Sequence, residues 1–482
     1  KGDIVTMKAK KFDVVVIGGG PGGYAAAFYA ASSGKHVCLI DKRAELGGTC
    51  LNEGCIPSKA LIHATEILHM AKTADECGIS FSKPKIDINK LRTWKQSIIT
   101  KLNQGIATLC KKKNVTFIQG RAHIEETHVC RVETDKGQQF IEFEHAIIAT
   151  GSQPAMPSTF DLGNKRIMTS TEALEIEEIP KTMLVVGGGY IGMELGSVYA
   201  GLGSKVTVIE ALDGILAGAD PDLIRPVMAT AKENFESLIF NAKVTKMATK
   251  GKQIEVQYTV DGKQKNESYD NVLISVGRTP NTVNMGLDNI DIKTDEKGFI
   301  TVNEQLQTNH AHIYAIGDVA GGILLAHKAS KEATIAVESI LGHRVTKENM
   351  VIPCVVFTDP EIAWCGLTET DAKEQGIAIE TSKFSWAASG RALSLGRTDG
   401  LTKLILEKDT QRILGMGIVG PGASELIAEG CLAISNGLYA ADLAETVHAH
   451  PTLSETIMES AELFFGHSAH AYNPKVEQKI SV

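Results

Sequence analysis

Phe12-Asp13-Val14-Val15-Val16-Ile17-Gly18-Gly19-Gly20-Pro21-Gly22-Gly23 is the stretch on which the fold turns. Phe12 to Ile17 is short, apolar and β-branched, the pattern of a buried strand. The glycine block behind it predicts a turn. Tyr24 to Ser33 is Ala-rich and reads as a helix, and Val37 to Ile40 reads as a second strand ending at Asp41. The same order recurs: strand Met183 to Val186, turn Gly187-Gly188-Gly189-Tyr190-Ile191-Gly192, helix Met193 to Leu202, strand Val206 to Ile209, then Glu210. Gly18 to Asp41 and Gly187 to Glu210 both span 23 residues.

A glycine turn between strand and helix, with an acid about 20 residues on, marks a Rossmann-type dinucleotide site. Gly18 and Gly187 permit the tight turn, Gly20 and Gly189 let the backbone approach a pyrophosphate, and Gly23 and Gly192 let helix pack on strand. The helix N-terminus then offers free N–H groups and a positive dipole end to phosphate. Asp41 and Glu210 can each accept hydrogen bonds from a ribose 2′-hydroxyl. An acid there repels a 2′-phosphate, so Glu210 favours NAD over NADP at the second unit. Ile147-Ile148-Ala149-Thr150-Gly151 and His312-Ile313-Tyr314-Ala315-Ile316-Gly317-Asp318 read as two further strand ends, candidates to close over a dinucleotide.

The rest of the 482 residues bounds this picture. A chain of 51.7 kDa suggests about three domains. Apolar residues at 43% and charged residues at 22% are ordinary for a globular protein and exclude a disordered or fibrous one. A formal charge of −8 argues against binding nucleic acid through phosphates. Val14 to Ser33 carries no charge, but its glycine block would break a membrane-spanning helix. Lys1 to Lys11 lacks the apolar core of a signal peptide. Nine cysteines are too few and too scattered for a secreted disulfide scaffold and point to a reducing compartment.

Two of those cysteines stand close together, in Gly47-Gly48-Thr49-Cys50-Leu51-Asn52-Glu53-Gly54-Cys55-Ile56-Pro57-Ser58-Lys59. No second pair completes a zinc site, so no metal is expected. Thiols flanking a short glycine turn can form a disulfide, and a nearby helix N-terminus would lower a thiol pKa. On the residues alone, a redox-active pair and two incidental thiols both stand. The segment closely resembles the active-site signature of the pyridine nucleotide-disulfide oxidoreductases. That resemblance runs from about Phe12 to about His470. It includes both glycine units, Ala149-Thr150-Gly151, Ala315-Ile316-Gly317-Asp318, and His448-Ala449-His450-Pro451-Thr452-Leu453-Ser454-Glu455.

Within the family the chain looks most like members that oxidise dihydrolipoyl groups with NAD. Glutathione and trypanothione reductases carry Pro-Lys-Lys where it has Pro57-Ser58-Lys59, and arginines where it has Glu210-Ala211-Leu212-Asp213-Gly214. Mercuric and large thioredoxin reductases add a C-terminal cysteine pair, whereas Cys431 is the last cysteine here. A binding flavoprotein or an NADH oxidase-like enzyme would not need Cys50, Cys55 and His450 together. Two departures are Glu53, where Val is usual, and Asp41, where Glu is more common. Cys38, Cys77, Cys110, Cys130, Cys354, Cys365 and Cys431 read as buried or incidental thiols.

The resemblance implies FAD on the first unit, NAD on the second, and a homodimer. It implies a redox-active Cys50–Cys55 disulfide, with Cys50 the exposed thiol attacked by substrate and Cys55 beside the flavin. His450, oriented by Glu455, would be the base, both supplied by the partner subunit. Local sequence instead favours Glu455 as a helix cap in Thr452-Leu453-Ser454-Glu455. Lys59 and Glu194 would pair beside the flavin, against a bland reading as two surface charges. Further cofactor contacts implied are Gly18, Gly20, Gly23, Asp41, Lys42, Gly48, Thr49, Lys59, Gly120, Thr150, Gly151, Asp318, Leu325, Ala326 and His327. On the second unit they are Gly187, Gly189, Tyr190, Gly192, Glu210, Val244 and Gly277.

The expected fold class is α/β: two Rossmann-like dinucleotide-binding domains plus a C-terminal α+β interface domain. The first part of the FAD domain is placed at 1–150, the NAD domain at 151–279, the second FAD part at 280–348, and the interface domain at 349–482. The β-rich stretch Gln253 to Val276 is expected to complete the NAD domain. Pro353 to Val356, Glu361 to Cys365 and Leu401 to Leu406 are expected as interface strands. Expected partners are a lipoyl domain of an acyltransferase or the glycine cleavage H protein, with no nucleic acid and no membrane. The short N-terminus and the Asn473-Pro474-Lys475 ending suggest a bacterial cytoplasm, with the mitochondrial matrix after processing as the alternative.

Overall fold

The computed structural model describes residues 9–474. The readings of residues 1–8 and 475–482 lie outside the described residues.

Strands Lys10–Ile17 and Val37–Asp41 pair in parallel, with Val14 opposite Val37 and Ile17 opposite Ile40. The first sheet runs Thr116–Gln119, Val37–Asp41, Lys10–Ile17, Gly137–Ile148, and Ile313–Ala315 returns to pair with the last of these. Alternation along each strand sends residues to opposite faces. Val14, Val16, Val37 and Leu39 face helices Pro21–Ser32 and Ala326–Ile340. Val15, Ile17, Cys38 and Ile40 face the meander of Arg121–Glu126, Val129–Thr134 and Gly137–Ile148. A strand buried on both faces must be apolar throughout, which is why Val14-Val15-Val16 is unbroken.

The second unit repeats the plan. Its sheet runs Ser237–Ile239, Lys205–Ile209, Thr182–Val186, Asn271–Ile274, Ile167–Met168 in the same parallel sense. Helices Tyr190–Leu202 and Pro221–Asn234 cover one face. A meander of Ala242–Lys250, Gln253–Val260 and Lys263–Tyr269 covers the other. Antiparallel pairing of Ser152–Pro154 with Arg278–Pro280 ties the two chain crossings between units together.

A five-stranded antiparallel sheet forms the C-terminal layer, in the order Cys354–Val356, Ile362–Gly366, Ile413–Val419, Leu401–Glu407, Ile379–Ser385. Helices Ala423–Ser435 and Glu455–Phe465 pack on one face. Ile362 and Val419 on the other join the core of the second unit. Buried Lys403 crosses that seam to Asp220 and Asp222, at 2.7 and 3.0 Å, and also meets Glu369. These three carboxylates are close enough to hold a cation together, and the lysine ammonium already serves them.

Several boundaries differ from the sequence reading. Both glycine turns are shorter: the helices begin at Pro21 and Tyr190 rather than Tyr24 and Met193. Pro21 at the first turn has no N–H to lose and suits a helix start. The strand before Asp318 is only Ile313–Ala315, and Gly317–Ala320 forms a 3-10 turn.

Candidate functional site

The glycines fall into two classes, and both units show the same division. A Cβ on Gly18 would sit 2.3 Å from Ala149 O, and one on Gly23 1.7 Å from Gly18 O. Gly187 and Gly192 are equally confined, at 2.4 Å from Ser275 O and 2.0 Å from Gly187 O. These four are required by the chain's own packing. Gly20 and Gly189 are not. Their φ values of −74° and −73° suit any residue. A Cβ on Gly20 would meet only Gly48 Cα at 3.9 Å, and one on Gly189 would meet nothing within 4 Å. Each would instead project into a cavity at a helix N-terminus that no side chain caps. That is a cradle kept clear for an anion.

The acids are set alike. Asp41 accepts from the amides of Gly19 at 2.5 Å and Arg43 at 2.8 Å. Glu210 accepts from Gly188 at 2.6 Å and Leu212 at 2.8 Å. Backbone donors fix both carboxylates at their cavity walls, with lone pairs left for hydroxyls.

The first cavity is also lined by Lys42, Gly48, Thr49, Lys59, Thr150, Gly151, Asp318 and Ala326. Arg43 places on this wall a buried Nη1 with no hydrogen-bond partner among the described residues. The second cavity is lined by Gly187, Gly189, Tyr190, Glu210, Val244, Gly277 and Leu325. Tyr190 borders both, and burial pushes its hydroxyl up to about 12. Gly120 and His327 line neither cavity. Gly120 is held by packing, since a Cβ would stand 2.5 Å from Glu133 O, and His327 Nε2 bonds Pro353 O at 2.7 Å.

Cys50 and Cys55 are both free thiols on the wall of the first cavity. Cys50 lies in helix Gly48–Glu53 and Cys55 opens helix Cys55–Thr73. Gly54 alone joins the helices, where a Cβ would press to 3.0 Å from Thr49 O. The thiols interact, and the interaction splits their acidities. It raises the Cys50 thiol, with burial and the Cys55 charge adding. The interaction with Cys50 lowers Cys55 to about 7, with Lys59 helping and burial opposing. The shared proton is thus biased toward Cys50 and the charge toward Cys55. On the wall of that cavity Cys55 is exposed and Cys50 half-buried. Cys55 stands at the lip of its helix, whereas Cys50 sits inside a helical turn.

Lys59 follows one turn later and reaches Glu194 Oε2 at 2.7 Å. Glu194 is buried, and its Oε1 accepts from the amide of Phe357 at 3.0 Å. Lys59 Nζ lies 4.3 Å from the centroid of the Phe357 ring. The reading as two surface charges therefore fails. Glu53 Oε2 lies 2.7 Å from Arg43 Nη2, so its charge is neutralised locally.

Some neighbours escaped the sequence reading. Arg278 borders both cavities, donating to Ser152 Oγ and O at 2.6 and 2.8 Å. Ser152 donates to Asp318 at 2.5 Å. Asn281 O accepts from Thr150 Oγ1 at 2.9 Å. The signal available was Arg278-Thr279-Pro280-Asn281 directly after Gly277.

His450 and Glu455 line neither cavity within one chain. His450 is 75% exposed, with Nδ1 2.9 Å from Glu455 Oε1. The other Glu455 oxygen accepts from the amide of Thr452 at 2.7 Å. One carboxylate thus holds the imidazole and half of a capping box. Thr452 Oγ1 instead bonds Ala449 O and Ser454 Oγ. Burial raises the Glu455 carboxyl, but the Thr452 amide and His450 outweigh it and bring it below the ordinary value. The His448 side chain is buried with both ring nitrogens engaged, by Thr446 O and Glu429 Oε1 at 2.8 Å each.

A family profile described as pyridine nucleotide-disulphide oxidoreductase matches residues 12–333, and the dimerisation domain of the same family matches residues 352–461. The chain belongs to the pyridine nucleotide-disulphide oxidoreductases. Members of this family use FAD and NAD(H), and the dimerisation domain supports a homodimer. A dihydrolipoyl dehydrogenase of Buchnera aphidicola is 44% identical, covering 94% of this chain and 96% of its own. One of Haemophilus influenzae is 42% identical over 98% and 99%. The crystal structure of LpdA from Mycobacterium tuberculosis has a TM-score of 0.88 at 27% identity, over 94% and 99%. Among the described residues no helix is long and apolar enough to cross a membrane.

Proposed function

We propose that this chain is an NAD-dependent dihydrolipoyl dehydrogenase, the E3 component of 2-oxoacid dehydrogenase or glycine cleavage complexes, working in a bacterial cytoplasm. The Cys50–Cys55 pair on the wall of the first cavity, with Lys59 and Glu194 joined beside it, carries this reading.

Bound FAD would supply the two-electron relay between the thiols and NAD. Its pyrophosphate would rest on Gly20 and the helix behind it, its ribose on Asp41, and its ring near Lys59 and Glu194. NAD would take the same pose on Gly189 and Glu210. In the oxidised state Cys50 and Cys55 form a disulfide. His450 of the partner subunit takes the proton from a dihydrolipoyl thiol, held in orientation by the partner's Glu455. The resulting thiolate attacks Cys50 Sγ, the S–S bond breaks, and Cys55 leaves as a thiolate. The second dihydrolipoyl thiol then displaces Cys50, which takes up a proton. Lipoyl disulfide departs, leaving the Cys50 thiol and the Cys55 thiolate. Lys59 stabilises that thiolate, and Glu194 fixes Lys59.

The substrate is protein-borne: a lipoyl domain of an acyltransferase, or a glycine cleavage H protein. The test is NADH formation from dihydrolipoamide by the purified flavoprotein, with NADP and oxidised glutathione as controls. Turnover with dihydrolipoamide and NAD is expected. Activity confined to NADPH and another disulfide would overturn the reading.

A further inference from the structure

Helix Ala326–Ile340 holds a charge pair that neither the glycine units nor the thiols use. Lys328 and Glu332 stand one turn apart on it, Nζ to Oε1 at 2.9 Å, and both are buried. Taking two charges out of water is costly, and well-packed apolar residues in their place are often as stable or more so. Stability alone does not account for the pair.

Both members reach one residue. The amide of Gly317 donates to Glu332 Oε2 at 2.7 Å, and Lys328 Nζ donates to Gly317 O at 3.4 Å. Strand Ile313–Ala315 has ended there, although the Ile316 amide still bonds Ile148 O at 3.0 Å. Gly317 then turns with φ at +72°, a conformation that a side chain would strain. A Cβ on it would also press to 3.0 Å from Ala329 Cβ. Beyond the sheet, the buried amide and carbonyl of Gly317 each need a partner, and the ion pair supplies one to each. Both bonds are charge-assisted, an anion accepting and a cation donating.

Gly317 opens the 3-10 turn Gly317–Ala320, so the next residue is Asp318, on the wall of the first cavity. Ser152 Oγ donates to Asp318 Oδ2 at 2.5 Å, and Arg278 Nε lies 3.8 Å from the same oxygen. Ser152 thus holds the side chain, and the ion pair holds the backbone that carries it. Lys328 and Glu332 do not line the cavity themselves, whereas Ala326 and Ala329 of the same helix do.

We propose that Lys328 and Glu332 are positioning residues for FAD: by gripping both backbone groups of Gly317 they fix the angle at which Asp318 meets the cofactor. This role rests on FAD occupying the first cavity, with Asp318 among its contacts, and needs no particular dithiol substrate.

The test follows flavin release from the yellow holoenzyme, read as the rise in free-flavin fluorescence after dilution. Glu332→Gln keeps the side chain's shape and removes its charge. It should speed release by about tenfold or more, and Asp318→Asn should do the same. On top of Asp318→Asn, Glu332→Gln should add less than about twofold, because the contact it serves is already lost. Glu332→Gln leaves Lys328 buried without its anion and may not fold, so Lys328→Met with Glu332→Leu is the second variant. It should keep the native far-ultraviolet circular dichroism and still release flavin about tenfold faster. Release at the native rate from this double variant would overturn the proposal. So would the full effect of Glu332→Gln on top of Asp318→Asn, the result expected if the helix as a whole had shifted. A native protein purified without flavin would overturn the FAD reading and this role with it, whereas yellow variants with native release would overturn this role alone.

Discussion

In the first unit Asp41 is held by the amides of Gly19 and Arg43, and in the second Glu210 is held by those of Gly188 and Leu212. Sheet order, glycine classes and meander also correspond. The units part just beyond the acid. The first inserts helices Gly48–Glu53 and Cys55–Thr73, and the second continues to Pro221–Asn234. The cysteine helix then packs on helix Tyr190–Leu202 of the second unit, where Lys59 meets Glu194. Nucleotide recognition is thus a repeated backbone device, whereas the thiol chemistry sits in one connection that differs.

Seven substitutions probe that contrast. Cys50→Ser should remove dihydrolipoamide turnover by roughly three or more orders of magnitude, while NAD affinity measured by calorimetry stays unchanged. A matching loss of NAD affinity would mean the units are not separable. Gly20→Ala and Gly189→Ala should each weaken one cofactor about tenfold or more, near 1.4 kcal/mol. Gly20→Ala should act on FAD retention and Gly189→Ala on NAD, both with little change in Tm. Gly23→Ala and Gly192→Ala should instead lower Tm through overpacking of about 1–3 kcal/mol. Glu210→Ala should narrow the preference for NAD over NADP by about tenfold, read as a ratio of kcat/KM values. Glu53→Val should change turnover less than about twofold, because Arg43 neutralises Glu53 where it stands.

Both glycine units were legible because each is a contiguous run whose spacing carries the geometry. The first meander strand of the second unit, Ala242–Lys250, was not, since five of its nine residues are polar or charged Lys and Thr in an irregular alternation with a bulge at Val244. Ser152 and Phe357 reach the site only through tertiary packing, from positions with no local signature. The order of exposure of Cys50 and Cys55 follows from a helix break at Gly54.

The central claim is that Cys55 carries the charge of the reduced pair. Anaerobic titration with dihydrolipoamide, followed by visible absorption across pH, tests it most directly. The account predicts a long-wavelength band from the Cys55 thiolate against bound flavin. Because its pKa is lowered to about 7, the band should persist above that pH and fade as pH falls through it. NAD should clear it and NADP should not. A dihydrolipoamide-reduced protein with no such band at pH 8, or a band raised only by NADPH, would contradict the account.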